Sequence, residues 1–200
     1  MIVNGERLAR DVIVVAASAG GFEPVRSIAR YFPRDLPAGI AVVLHRGVHE
    51  DTGLLASILR QDSRLLVSEP HGGELFEHGH LYVAPMDRHL VLRDGRFFRD
   101  RGPKENFSRP AANPLFRSAA AGFGPRVLGV ILSGGDSDGA LGARAIAAAG
   151  GITLVQDPRE AEDPSMPRRA IELDDVGAVL SLHALLDAIA ILAHGNALTV

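Results

Sequence analysis

Val12-Ile13-Val14-Val15-Ala16-Ala17-Ser18-Ala19-Gly20-Gly21 is an apolar run that stops at a hydroxyl and continues into two glycines and a helical pattern. A short apolar run bounded by a turn reads as a strand buried on both faces, the kind that parallel sheets contain. Small neighbours let the chain turn sharply after it, and the following helix brings unpaired N–H groups and the positive end of its dipole beside Ser18 Oγ. A serine so placed is presented as a nucleophile, although taken alone it reads first as a helix N-cap.

Working outward, Val- and Ile-rich runs recur at Gly39–Leu44, Arg126–Leu132, Ile152–Gln156 and Ala178–Leu182. Helical patterns fall between them, at about Glu23–Tyr31, Thr52–Gln61, Pro114–Ala121, Gly139–Ala149, Pro167–Leu173 and Leu182–Leu192. This alternation predicts an α/β fold, a doubly wound, mostly parallel, Rossmann-like sheet. The stretch Gly79–Asp100 breaks the rhythm: His80–Pro85 and His89–Arg93 are followed by Asp94-Gly95, a tight-turn signal, and then Arg96-Phe97-Phe98. An antiparallel β-hairpin insertion is expected there. Loops are expected at Gly102–Asn113 and Asp157–Pro164, and no internal repeat is visible. Ligands of open parallel sheets gather at the carboxyl ends of strands near a reversal of strand order, where Ser18, His45 and the Ser133–Gly139 turn all fall.

Two hundred residues, 46% of them hydrophobic, suit a single domain over 1–200 with its core at about 11–193. A net charge of −3 supplies no global field for nucleic acid or an anionic membrane, and 5% aromatic content argues against a base-stacking surface. The absence of cysteine excludes disulfides, thiolate metal sites and a thiol nucleophile, and fits the cytoplasm. Met1–Asp11 lacks the pattern of a secretion signal, and no apolar stretch reaches the length of a membrane span.

A serine hydroxyl needs a base to take its proton and usually a carboxylate to orient that base. His45 closes the run Ala41-Val42-Val43-Leu44 as Ser18 closes the first strand, and adjacent parallel strands would bring the two together. Asp136 and Asp138 lie at a third strand end, in Leu132-Ser133-Gly134-Gly135-Asp136-Ser137-Asp138-Gly139-Ala140, and either could orient His45. The order Ser, His, Asp, with Ala16 in place of the first glycine of a Gly-x-Ser-x-Gly elbow, separates this chain from the common α/β hydrolases.

Here the residues resemble the catalytic domain of the CheB-type chemotaxis receptor methylesterases, which remove methyl esters from glutamate side chains of methyl-accepting receptors. Ala17-Ser18-Ala19-Gly20-Gly21 is similar to the family's nucleophile turn, and Val43-Leu44-His45-Arg46 to its Val-x-His segment. Gly79–Pro85 with Asp87, Arg88 and His89 resembles its Gly-x-x-Tyr-x-Ala-Pro-x-x-x-His stretch. Arg109-Pro110 with Leu115-Phe116, Gly129–Gly134 with Asp138-Gly139-Ala140, and Met166-Pro167 with Ala170 extend the likeness from about Asp11 to Ala193. The resemblance implies Ser18 as nucleophile, His45 as base and Asp138 as orienting acid, with glutamine deamidation by the same route. From the residues themselves no cofactor and no metal is expected. Two departures stand out: the family's methionine falls on Gly135, and Asp136 stands where glycine is usual. The receiver domain that typical members carry first does not fit, because the catalytic strand already begins at about Val12.

Backbone N–H groups at Ala19 and in the Ser133–Gly135 turn are the expected oxyanion donors, with Gly20 and Gly135 beside them. Arg46 and Arg109, otherwise ordinary solvated residues, are expected to meet the carboxylates of an acidic receptor segment. Gly20-Gly21 lacks the further glycines or Gly-Lys-Ser/Thr of a phosphate cradle. His78 and His80 share a strand face and Asp136 and Asp138 form an Asp-x-Asp pair, without the third and fourth ligands of a metal site. His49, His71, His89, His183 and His194 read as surface or packing residues, His89 with a supporting role by its motif position. The partner implied is a methylated receptor or receptor-like signalling protein. The rival reading is a non-catalytic methylesterase-like interaction module.

Overall fold

In a computed structural model, the described residues are 2–3, 6–46, 53–173 and 176–198, so His49 lies outside them. Two short strands, β1 (Ile2–Val3) and β2 (Glu6–Arg7), pair antiparallel at the start. There follow β3 (Val12–Ala17), α1 (Phe22–Tyr31), β4 (Gly39–Leu44), α2 (Leu54–Asp62), β5 (Leu66–Ser68) and β6 (His80–Val83). The hairpin β7 (His89–Arg93) and β8 (Arg96–Asp100) leads into α3 (Ala112–Phe123). The chain closes with β9 (Val127–Ile131), α4 (Ala140–Ala148), β10 (Ile152–Gln156), α5 (Ser165–Glu172), β11 (Ala178–Leu180) and α6 (Leu182–Ala193).

Seven strands form a parallel sheet in the order β11-β10-β9-β3-β4-β6-β5. From β3 the chain winds outward through β4, and after β6 it crosses to β9 on the other side of β3. The reversal therefore lies between β3 and β9, the place where an open parallel sheet leaves a crevice at its carboxyl edge.

Alternation along the strands explains the two layers of helices. Ile13, Val15 and Ala17, with Ile40, Val42 and Leu44, point into one core with Val25 and Ile28 of α1, Leu55 and Leu59 of α2, and Leu185 and Ile189 of α6. Val12, Val14 and Ala16, with Ala41 and Val43, point into the other, against Leu115 and Phe116 of α3, Ala143 of α4, Met166 of α5 and the hairpin residues Leu90, Leu92 and Phe97. Both faces are covered, which is why these strands read as unbroken apolar runs rather than alternating ones.

The expected hairpin forms, between His89–Arg93 and Arg96–Asp100. The apolar run before it, His80–Val83, joins the main sheet: Leu81, Tyr82 and Val83 are buried, and the strand lies parallel between β4 and β5. Pro85, without an N–H, follows the strand, and the antiparallel pair is β7–β8 alone. Asp94 and Gly95 take φ of 49° and 71°, the positive pair that a two-residue type I′ turn requires. β5 had no signal, being three residues long with Leu66 exposed. The start of β9 moves from Arg126 to Val127 because Gly124–Arg126 forms a 3-10 turn around Pro125. Helix α2, expected from Thr52, begins at Leu54 within the described residues. Asn113, placed in a loop by sequence, is inside α3, and that difference bears directly on the site.

Candidate active site

Ser18 is the first residue beyond β3, and its main chain is pinned on both sides. Its N–H donates to the Ser133 carbonyl (2.9 Å) and its own carbonyl accepts from Gly21 N–H (2.8 Å). The two glycines keep the turn thin. Gly20 has φ of 70°, and a Cβ there would lie 2.4 Å from Glu162 Cβ and 2.8 Å from Ser133 Oγ; at Gly21 it would lie 2.7 Å from Ala17 Cβ. His45 extends the β3–β4 ladder by one rung, its N–H donating to the Ala17 carbonyl (3.0 Å). That rung sets His45 beside Ser18, and both open onto a pocket of about 400 Å³ walled by Phe22, Leu44, Leu54, Leu55 and Ile58.

Asp138 is fully buried where the turn after β9 enters α4. Its carboxylate accepts from the N–H groups of Ala112, Asn113 (3.0 Å) and Gly139 (3.0 Å), and Oδ2 lies 2.9 Å from His45 Nε2. The first two donors are the opening amides of α3, so the acid that meets His45 also caps a helix from across the fold. The reverse holds as well: buried Asn113 Oδ1 accepts from Gly139 N–H (3.2 Å) and Gly142 N–H (2.8 Å) at the start of α4. Sequence reasoning missed Asn113; its one signal is a polar side chain at a helix start next to Pro114. His89 buttresses the same joint: Nδ1 accepts from Ala111 N–H (3.1 Å) and Nε2 faces the Pro103 carbonyl (2.9 Å), in line with its expected supporting role.

Asp136, the other carboxylate that the sequence offers to His45, also reaches the ring. Its Oδ1 accepts from Asp138 N–H (2.8 Å), and its Oδ2 lies 2.9 Å from His45 Nδ1. That second contact is off the line a hydrogen bond needs, so it is an ion pair rather than a bond. Burial alone would depress the His45 pKa, but the contacts and charges of Asp136 and Asp138 outweigh it and raise it to about 9. Asp136, which burial would raise, is held below the usual carboxylate range by His45 and by the Asp138 N–H.

The Ser133–Gly135 turn is partly spent on structure. Ser133 N–H donates to Gln156 Oε1 (2.9 Å) and Gly134 N–H to the Asp163 carbonyl (3.0 Å). Ser133 Oγ ties the loops together, donating to the Ala19 carbonyl (2.7 Å) and accepting from Asp163 N–H (2.9 Å). Of the expected oxyanion donors, the N–H groups of Ala19 and Gly135 are the ones with no acceptor among the described residues. Glycine at 135 has a local reason, since a Cβ would lie 2.8 Å from Asp163 Oδ2.

Arg46 lines the pocket and reaches the Ala84 carbonyl (3.3 Å). Arg109 lines a cleft with His45 and Arg46, and its guanidinium holds Asp87 Oδ1 (2.9 and 2.7 Å) and the Gly102 carbonyl (3.0 Å), securing the loop before α3. His78 pairs with Asp11 and His80 with Ser68, and no group of three or more metal-ligating side chains occurs among the described residues.

These observations define a class: a doubly wound parallel α/β protein in which a serine, a histidine and an aspartate from three neighbouring strand ends meet at the switch point. Comparison with known proteins narrows it. The family model for CheB methylesterase matches residues 13–189, and the chain belongs to that family. It is 38% identical over 173 residues to a putative protein-glutamate methylesterase/protein-glutamine glutaminase of Leptospira interrogans, covering 86% of this chain and 89% of that one. It is 42% identical over 170 residues to protein-glutamate methylesterase/protein-glutamine glutaminase 2 of Anaeromyxobacter dehalogenans, 85% of this chain but 50% of the relative, so it spans about half that protein's length. The crystal structure of the Thermotoga maritima CheB methylesterase catalytic domain superposes with a TM-score of 0.85 at 31% identity, over 90% of this chain and 97% of that one. No helix among the described residues is long and apolar enough to cross a membrane.

Proposed function

We propose that the chain is a protein-glutamate methylesterase that acts in the cytoplasm on methylated receptors of the chemotaxis type. The observation that carries this reading is the meeting of Ser18 and His45 at adjacent strand ends, over one pocket, with buried Asp138 on His45 Nε2. Family membership and the names of the relatives support it.

In this mechanism Ser18 Oγ attacks the ester carbonyl carbon of a glutamate γ-methyl ester while His45 takes the hydroxyl proton. Asp138 orients the ring, and the N–H groups of Ala19 and Gly135 receive the negative charge on the oxygen, each donor typically worth about 2.7–4 kcal/mol. The intermediate collapses as His45 returns the proton to the departing methoxide, releasing methanol and leaving an acyl-enzyme on Ser18. Water, deprotonated by His45, then attacks the acyl carbon; the glutamate carboxylate leaves and Ser18 regains its proton. A glutamine side chain follows the same path with ammonia in place of methanol.

The test is methanol release from a methylated receptor fragment. Wild-type protein is expected to release it, and Ser18→Ala and His45→Gln, folded as judged by circular dichroism, are expected to release none. Full activity in folded Ser18→Ala would refute the mechanism, and binding without turnover in the wild type would favour the interaction-module reading.

A further inference from the structure

Asp138 occupies Nε2 of His45, so the nitrogen left to serve Ser18 is Nδ1. That nitrogen faces Asp136 Oδ2 at 2.9 Å and has no hydrogen-bond partner, so Ser18 Oγ is not bonded to it. Asp136 does not reach the ring by chance rotation: its other oxygen is fixed by the N–H of Asp138, two residues on, in the turn that presents both acids. The side chain of His45 is 10% exposed and that of Asp136 30%, so their attraction is weakly screened.

We propose that Asp136 is a positioning residue that competes with Ser18 for His45 Nδ1, so that the hydroxyl gains its base only when this carboxylate lets go of the ring. The proposal rests on the methylesterase reading for its catalytic consequence, but not for the contact itself. An imidazole between two carboxylates is stabilised as imidazolium, a form that cannot accept the serine proton. With its pKa near 9, the ring is neutral in roughly one molecule in a hundred at pH 7, against more than half for an ordinary imidazole.

The surroundings reinforce this. From the loop after β10 come Glu162, beside Gly20, and Asp163, whose carboxyl is held below the usual carboxylate range by its hydrogen bonds with Ser165, against the opposing charge of Asp136. Lys104 and Arg109, from the loop before α3, line the cleft on the other side of His45 with Arg46, and Arg109 is already held by Asp87. Arg117 on α3 is paired with Glu105. The groups in contact with the two ring nitrogens are both acids.

The experiment is a pair of pH titrations on wild type, Asp136→Gly and Asp136→Asn. Asparagine keeps the turn acceptor for Asp138 N–H while removing the charge, and so covers the case in which the glycine variant folds poorly. One titration follows the His45 ring by NMR. The other follows kcat/KM for a small methyl ester, whose acid limb reports the free enzyme's base. Both midpoints are expected to fall in the variants, with kcat/KM at pH 7 rising on the order of tenfold or more. Unchanged midpoints, or a ring titration that falls while the acid limb stays in place, would overturn the proposal. A ring titration that falls in a protein that cleaves no ester at any pH would support the hold of Asp136 on His45 and refute the proposed function instead.

Discussion

Replacing Asn113 with alanine removes the acceptor of Gly142 N–H in a buried joint at the start of α4, while Gly139 N–H keeps its bond to Asp138 Oδ1 (3.0 Å). A buried donor stripped of its partner costs about 1–3 kcal/mol. For a chain of this size each kcal/mol lowers the melting midpoint by roughly 2–4 °C, which places the loss at roughly 2–12 °C. Gln156→Ala is the internal standard: it too strands one N–H, that of Ser133, and should cost about as much. Urea unfolding followed by circular dichroism gives both numbers, and an unchanged m-value would show that the loss belongs to the native state. Asn113→Ala losing less than about 1 kcal/mol while Gln156→Ala loses more would refute the reciprocal capping of α3 and α4 by Asp138 and Asn113.

Gly20→Ala forces a side chain into φ of 70° with its Cβ 2.4 Å from Glu162 Cβ; it should cost about 1–3 kcal/mol in urea unfolding and lower kcat/KM by shifting Ser18. Asp138→Asn, which removes the charge that orients His45, should lower kcat/KM on the order of 10⁴-fold while the protein stays folded. The ion pairs of His45 also predict a pH dependence of stability. Because the folded-state pKa is raised from 6.5 to about 9, the stabilisation is fully present below pH 6.5 and is lost as pH rises through 9. The difference in unfolding free energy between wild type and His45→Gln should therefore shrink by on the order of 3 kcal/mol between about pH 6 and pH 10.

Much of this was legible in the chain because the strands that build the site are buried on both faces. The bounds of β3, β4 and β10 follow directly from their apolar runs, and the polar residues that end the first two, Ser18 and His45, stand out against them. The doubly wound sheet follows from the alternation of such runs with helices. What the sequence hid are partnerships across long separations. Asn113 and Gln156 look like a loop residue and a strand end, yet each satisfies backbone groups more than twenty residues away. The hold of Arg109 on Asp87 and a loop carbonyl likewise joins residues with no local signal for each other. That His80–Val83 is a parallel strand of the main sheet is not legible, because a short apolar run before a hairpin has no local mark of its direction. Asp136 was visible as a departure from the family pattern, but its approach to Nδ1 depends on the path of the turn after β9.

The most direct test of the central claim is the intact mass of the protein after treatment with a small serine-reactive phosphonate, since it requires no knowledge of the substrate. One adduct, mapping to Ser18, forming faster as pH rises toward 9, and absent from Ser18→Ala and His45→Gln, is the predicted result. No adduct on folded wild-type protein across that range, or an adduct that persists in Ser18→Ala, would contradict the account.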